Sequence, residues 1–141
     1  MVIAIVNGPN LNLLGDREKN IYGEMTFEDY LDLLKARYKQ IEFKYKQSNV
    51  EGELVSMLQE YDKDADGIIL NAAAYTHTSV AIADTIAAIS TPVIEVHISN
   101  IVSREGFRHT SLIAPNCSGT IFGFGIEGYA LAVEAFATKI L

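Results

Sequence analysis

The chain has 141 residues, 49% of them apolar and 21% charged, which excludes intrinsic disorder, collagen and coiled coil and leaves enough length to bury a core. Its net charge of -7 and lack of a basic stripe argue against nucleic acid and anionic membrane as partners. A single cysteine, Cys117, excludes a disulfide framework and a cysteine-based zinc site. No apolar run approaches the ~20 residues of a membrane span. The start, Met1-Val2-Ile3-Ala4-Ile5-Val6, lacks the basic region and cleavage site of a signal peptide. The expectation is one cytoplasmic domain over residues 1–141, with no internal boundary.

Residues 2–6 form a short continuous apolar run, the pattern of a strand covered on both faces. Thr26-Phe27-Glu28-Asp29 opens a helix with a capping-box spacing, and Phe27, Tyr30, Leu31, Leu34 and Tyr38 form its apolar face. Ile41, Phe43 and Tyr45 alternate with charged residues, which predicts an edge strand. Ser48 and Glu51 repeat the capping-box spacing ahead of a second helix carrying Val50, Leu54, Leu58 and Tyr61. A third strand over 67–70, a helix over 80–89, a strand over 92–99, a strand over 119–124 and a last helix through Tyr129, Val133 and Phe136 complete the series. Such alternation predicts an α/β fold: a flavodoxin-like, doubly wound five-stranded parallel sheet of order 2-1-3-4-5, with helices on both faces. Ligands of such sheets bind beyond the carboxyl ends of the strands.

Those ends carry the candidates. Strand one leads into Asn7-Gly8-Pro9-Asn10, a turn with uncharged amide donors and acceptors, and strand three ends at Asn71 ahead of His77. Taken alone, the asparagines read equally as turn chemistry and His77 as a surface histidine. Strand four is the anomaly. Glu95, His97 and Ser99 share one face by period two, on a strand expected to be apolar on both faces. A carboxylate beside an imidazole fixes its tautomer and raises its basicity.

Two charged loops flank these ends. The segment from Gly15 to Glu24 has the composition of a lid, and it places Arg17 five residues before Tyr22. A guanidinium near a phenol lowers the phenol pKa and makes the phenolate usable as a base. After strand four, Arg104 and Arg108 suit a carboxylate- or hydroxyl-bearing small molecule. Gly123-Phe124-Gly125-Ile126-Glu127-Gly128 matches G-x-G-x-x-G, but a dinucleotide site needs a further strand with an acidic residue about 20 positions on. These glycines are therefore read as close helix–sheet packing. Residues 80–89 are apolar nearly all round, with Asp84 the only charge, so the helix predicts an outer face covered by another subunit.

In order along the chain, the Asn7-Gly8-Pro9-Asn10-Leu11-Asn12-Leu13-Leu14-Gly15 stretch, Arg17…Tyr22-Gly23, Gln47-Ser48-Asn49…Glu51-Gly52-Glu53, Ala74-Tyr75-Thr76-His77-Thr78-Ser79, Glu95-Val96-His97-Ile98-Ser99-Asn100 and Arg104-Glu105…Phe107-Arg108-His109 closely resemble type II 3-dehydroquinate dehydratase. The resemblance implies a cofactor-independent anti elimination of water from 3-dehydroquinate through an enolate. By it, Tyr22 is the base with Arg17 holding its pKa down, and His97 is the acid oriented by Glu95. Asn10 positions a water on the enolate oxygen. Asn71 and the backbone N–H groups of Ile98 and Ser99 bind the carboxylate, while His77 and Arg108 bind ring hydroxyls. Asp84 reaches a neighbouring subunit's site in trimers packed into dodecamers, and Arg104 is a second influence on Tyr22. One departure stands out: Ala72-Ala73 occupies the place of the family's usual Pro-Gly.

The same fold hosts receiver domains and flavin carriers. A receiver needs acidic residues after strand one, an aspartate ending strand three and a lysine after strand five, and this sequence has none of them there. A flavin carrier needs a Ser/Thr-rich phosphate loop after strand one, where Gly8-Pro9-Asn10-Leu11 stands.

Overall fold

A computed structural model describes residues 1–16 and 24–139. Five parallel strands, β1 (Val2–Asn7), β2 (Glu42–Gln47), β3 (Gly67–Asn71), β4 (Val93–His97) and β5 (Gly119–Phe122), pair in the order β2-β1-β3-β4-β5. Among the described residues the α-helices are α1 (Phe27–Arg37), α2 (Glu51–Asp64), α3 (Val80–Ala88) and α4 (Gly128–Ala137). Alternation along the strands divides the core in two. Ile3, Ile5, Ile69, Ile94 and Val96 face α1 and α4, which contribute Leu34, Tyr129, Val133 and Phe136. Ala4, Val6, Ile68, Leu70 and Val93 face α2 and α3, which contribute Leu54, Leu58 and Ile82. Both faces of β1 and β3 are thereby sealed, and both strands are buried along nearly their whole length.

The helix starts show how local sequence works. Thr26 caps α1 by accepting from Asp29 N at 3.1 Å, with Glu28 and Asp29 in the first turn and Lys35 and Arg37 in the last, as the helix dipole favours. Ser79 caps α3 by accepting from Ile82 N at 2.9 Å. The second capping box does not form: Val50 is the cap residue of α2. Ser48 instead donates to Glu53 and accepts from Val50 N at 3.0 Å, and the helix starts after Val50, past a bend at Asn49. Two strands are shorter than the apolar pattern implies. Gly123 turns the chain at φ +92°, ending β5 at Phe122, and β4 stops at its register partner His97. In the Gly123–Gly128 stretch, only Gly128 packs closely on the sheet, where a Cβ would lie 3.3 Å from Val96 Cγ1; Gly123 and Gly125 (φ +62°) serve the turn.

The outward side of α3 is uncovered by the chain itself. Val80 is 63% exposed, and Ala81, Asp84, Ala87 and Ala88 are exposed beside it, while Ile82, Ala83, Thr85 and Ile86 are buried. No helix among the described residues is long and apolar enough to cross a membrane.

Candidate active site

The carboxyl ends of β1, β3 and β4 open into one cavity. Pro9, Asn10, Leu11 and Leu14 line it after β1, Asn71, Ala73, Ala74 and His77 after β3, and His97, Ile98, Ser99, Ile101, Arg104 and Arg108 after β4. Among the described residues, that lining holds two arginines, two histidines and no carboxylate, in a chain of net charge -7. Positive groups concentrated in a concave, partly apolar wall draw in a small anion.

The loop after β1 is placed by its neighbours. Gly8 N donates to Asn71 O at 2.7 Å, and a Cβ on Gly8 would stand 2.7 Å from Ala72 O, so only glycine fits there. Asn10 sits in the left-handed region at φ +70°, a conformation asparagine tolerates, and its N–H donates to Asn49 Oδ1 at 3.0 Å. Gln47 Nε2 donates to Gly8 O and to Asn49 Oδ1, each at 3.1 Å, and Tyr75 OH donates to Asn49 O at 2.8 Å.

The back wall is the Glu95–His97 pair. Glu95 is fully buried, and its Oε1 lies 2.7 Å from His97 Nε2. Ser111 Oγ donates to the same oxygen at 2.7 Å, and Thr120 Oγ1 donates to Oε2 at 3.1 Å. Burial alone pushes the Glu95 carboxyl up, but the hydrogen bonds and charge of His97 and the two hydroxyls outweigh it, so its pKa falls below the usual carboxylate value. An ionised Glu95 only accepts, so His97 Nε2 carries a proton toward it and Nδ1 is the ring nitrogen left for a ligand. Cys117, close enough to feel the Glu95 charge, is pushed up to about 12, first by burial and then by that charge, and stays a thiol at neutral pH.

His77 stands beside this pair with its ring 6.3 Å from that of His97 and nearly parallel. Its Nδ1 is 2.8 Å from Thr110 O, so Nδ1 holds the proton and Nε2 is the acceptor. Arg108 is oriented by Glu105 on its Nε and lies over the Phe107 ring, 4.9 Å from its centroid. Asn71 is buried at the floor of the cavity.

Of the residues singled out from the sequence, Asn10, Asn71, His77, His97, Ile98, Ser99, Arg104 and Arg108 line the cavity, and Glu95 lies directly behind it. Asp84 is exposed on the outward side of α3 and does not line its own chain's cavity. Arg17 and Tyr22 lie outside the described residues. Sequence reasoning missed Ser111 and Thr120, which hold Glu95, because single hydroxyls at distant positions carry no spacing signal. Among the described residues, no group of three or more His, Cys, Asp or Glu side chains could hold a metal ion.

Ala73 carries a cost. It adopts φ +51° with a Cβ present and no polar side chain to ease it, and left-handed backbone costs such a residue about 1 kcal/mol relative to glycine. Ala73→Gly is expected to raise the melting temperature by about 3 °C, read by calorimetry. An unchanged or lower melting temperature would show that the neighbouring structure absorbs the strain.

A family model described as Dehydroquinase class II matches residues 1–137. A protein of Sulfurovum sp. (strain NBC37-1) named 3-dehydroquinate dehydratase is 56% identical over 143 residues, covering 100% of this chain and 88% of the relative. One of the same name from Fusobacterium nucleatum is 56% identical over 138 residues, covering 94% of each. The crystal structure of a type II dehydroquinase from Butyrivibrio crossotus superposes with a TM-score of 0.93 at 45% identity, covering 97% of both chains. With a family match over nearly its whole length and a fold that superposes on a type II dehydroquinase at 45% identity, this chain belongs to the class II dehydroquinases.

Proposed function

We propose that this chain removes water from 3-dehydroquinate to give 3-dehydroshikimate, the dehydratase step of the shikimate pathway. The observation that carries the reading is the buried Glu95–His97 pair at the back of a cavity whose described lining includes two arginines and two asparagines. An acid held at Nδ1 of His97, in a site suited to an anionic, hydroxylated ring, is what a dehydration requires.

In this reading Tyr22, as a phenolate kept acidic by Arg17, takes the proton next to the ketone, and the electron pair moves into an enolate. Asn10 positions a water against the enolate oxygen, supplying the electrostatic part of the catalysis. The enolate then expels the hydroxyl, which takes the His97 Nδ1 proton and leaves as water. Glu95 stabilises the imidazolium before that transfer and fixes the ring after it. Asn71 with the backbone N–H groups of Ile98 and Ser99 binds the substrate carboxylate, and His77 and Arg108 bind ring hydroxyls. Arg104 is a second influence on Tyr22. The residues do this without a cofactor. Adding 3-dehydroquinate to the purified protein produces the absorbance of a conjugated enone; no enone at micromolar enzyme would overturn the reading.

The same reading makes the protein a cytoplasmic homo-oligomer, with trimers packed into a dodecamer. Support comes from α3, whose exposed Val80, Ala81, Ala87 and Ala88 form an apolar face around Asp84. Asp84 then reaches a neighbouring subunit's site. Asp84→Ala is expected to weaken both assembly and kcat/KM, as read by sedimentation velocity and steady-state rates. Sedimentation of the wild type as a monomer at micromolar concentration would sink the assembly.

A further inference from the structure

Beneath the cavity floor runs a chain of hydrogen bonds whose direction is fixed from one end to the other. The Ala73 N–H can only donate, and it lies 3.1 Å from Asn71 Oδ1. That contact decides which end of the Asn71 amide is oxygen, so Nδ2 points the other way, onto the Tyr129 hydroxyl at 3.0 Å. Tyr129 must accept there, which leaves its one proton for Asn7 Oδ1 at 2.7 Å. Asn7 and Asn71 are register partners on β1 and β3, and Tyr129 rises from α4 to bridge them. All three side chains are buried. Burial and the directed bonds leave no alternative orientation at equal energy, because turning the Asn71 amide over would face N–H groups against the Ala73 N–H. Among the described residues, one N–H of Asn71 Nδ2 is unspent, and Asn71 lines the cavity.

We propose that Tyr129 is a positioning residue for the reaction, holding the Asn71 amide so that its remaining N–H faces the substrate carboxylate. The proposal rests on the dehydratase reading above, with Asn71 as a carboxylate ligand. Tyr129 touches no substrate; it acts through the amide. Among the described residues its hydroxyl bonds only Asn71 and Asn7, and its ring is packed edge-on against Phe27 at 4.9 Å, so the oxygen cannot follow Asn71 if the amide turns.

Tyr129→Phe keeps the ring and removes only the oxygen. KM for 3-dehydroquinate should rise roughly tenfold, the worth of one hydrogen bond to a charged group, while kcat changes far less. Asn71→Ala should raise KM at least as much, and the Tyr129→Phe/Asn71→Ala double variant should be no worse than Asn71→Ala alone. A purely structural hydroxyl would instead lower the melting temperature and leave KM unchanged. Asn7→Ala is the second arm: it leaves Tyr129 and Asn71 in place but frees the tyrosine proton, so KM should rise by a smaller factor. Wild-type KM in both Tyr129→Phe and Asn7→Ala, with active wild-type enzyme, overturns the role of Tyr129 alone. Absence of dehydration by the wild type takes down the dehydratase reading and this proposal with it.

Discussion

Replacing His97 with glutamine is expected to lower kcat by about 10²–10⁴-fold, the usual contribution of a general acid. Glutamine can still donate to Glu95, so the wall behind the cavity keeps its shape, but it has no proton to give a departing hydroxyl. Circular dichroism should match the wild type while turnover collapses; a variant within threefold of wild type would remove His97 from the role of acid. Glu95→Gln acts through the same ring and carries a separate signature in pH. The Glu95 carboxyl is held below its ordinary value because bonds from His97, Ser111 and Thr120 outweigh the upward push of burial. A carboxyl so depressed stabilises the fold at pH above its unfolded value, and that contribution is lost as pH falls through the folded value. Urea midpoints measured between pH 5 and pH 3 should therefore fall more steeply for the wild type than for Glu95→Gln. Equal slopes would mean that Glu95 titrates alike in the folded and unfolded chain.

Tyr22→Phe is expected to cost at least ~10²-fold in kcat, since it deletes the base and nothing else. Hydrogen–deuterium exchange at the carbon next to the ketone is the direct readout, and it should disappear with turnover. Arg17→Ala works in the same direction with a sign that can be checked. The phenolate is the active form, so activity climbs as pH rises through the phenol pKa, and losing the cation moves that climb to higher pH. If the profile stayed in place, another group would have to activate Tyr22.

Much of the architecture is legible in the residues because a parallel sheet writes both periods into the chain. The run Ile3-Ala4-Ile5-Val6 is apolar at odd and even positions alike, and the structure puts those positions into separate cores on the two sides of β1. The Glu95–His97 pair was readable for the complementary reason, as polar residues at period two on a buried strand. What could not be read is contact set by tertiary register. Tyr129 falls at helical spacing with Val133 and Phe136, so its pattern says only core; its hydroxyl acquires a task because Asn7 and Asn71 happen to be paired across two strands. Ser48 illustrates the opposite failure, a local motif overruled because its hydroxyl bonds Glu53 while Val50 becomes the helix cap. Ala73 shows a third: its positive φ is imposed by the loop between β3 and α3, not by its own preference.

The edge position of β2 has a consequence for how activity is lost. Asn10 is held by Asn49, and Asn49 by Gln47 at the end of β2 as well as by Tyr75, so a cavity residue depends in part on one of the sheet's two half-exposed edges. Peripheral strands open in excursions smaller than global unfolding, whereas buried central strands such as β1, β3 and β4 are expected to open at a cost nearer that of the whole fold. An enzyme anchored this way is disarmed before it is denatured: the loop that bears Asn10 lets go while Glu95, His97 and Asn71 are still locked in the centre. Catalytic competence thus has a lower free-energy ceiling than the fold itself, and mutations in β2 can silence turnover while leaving the bulk of the sheet intact.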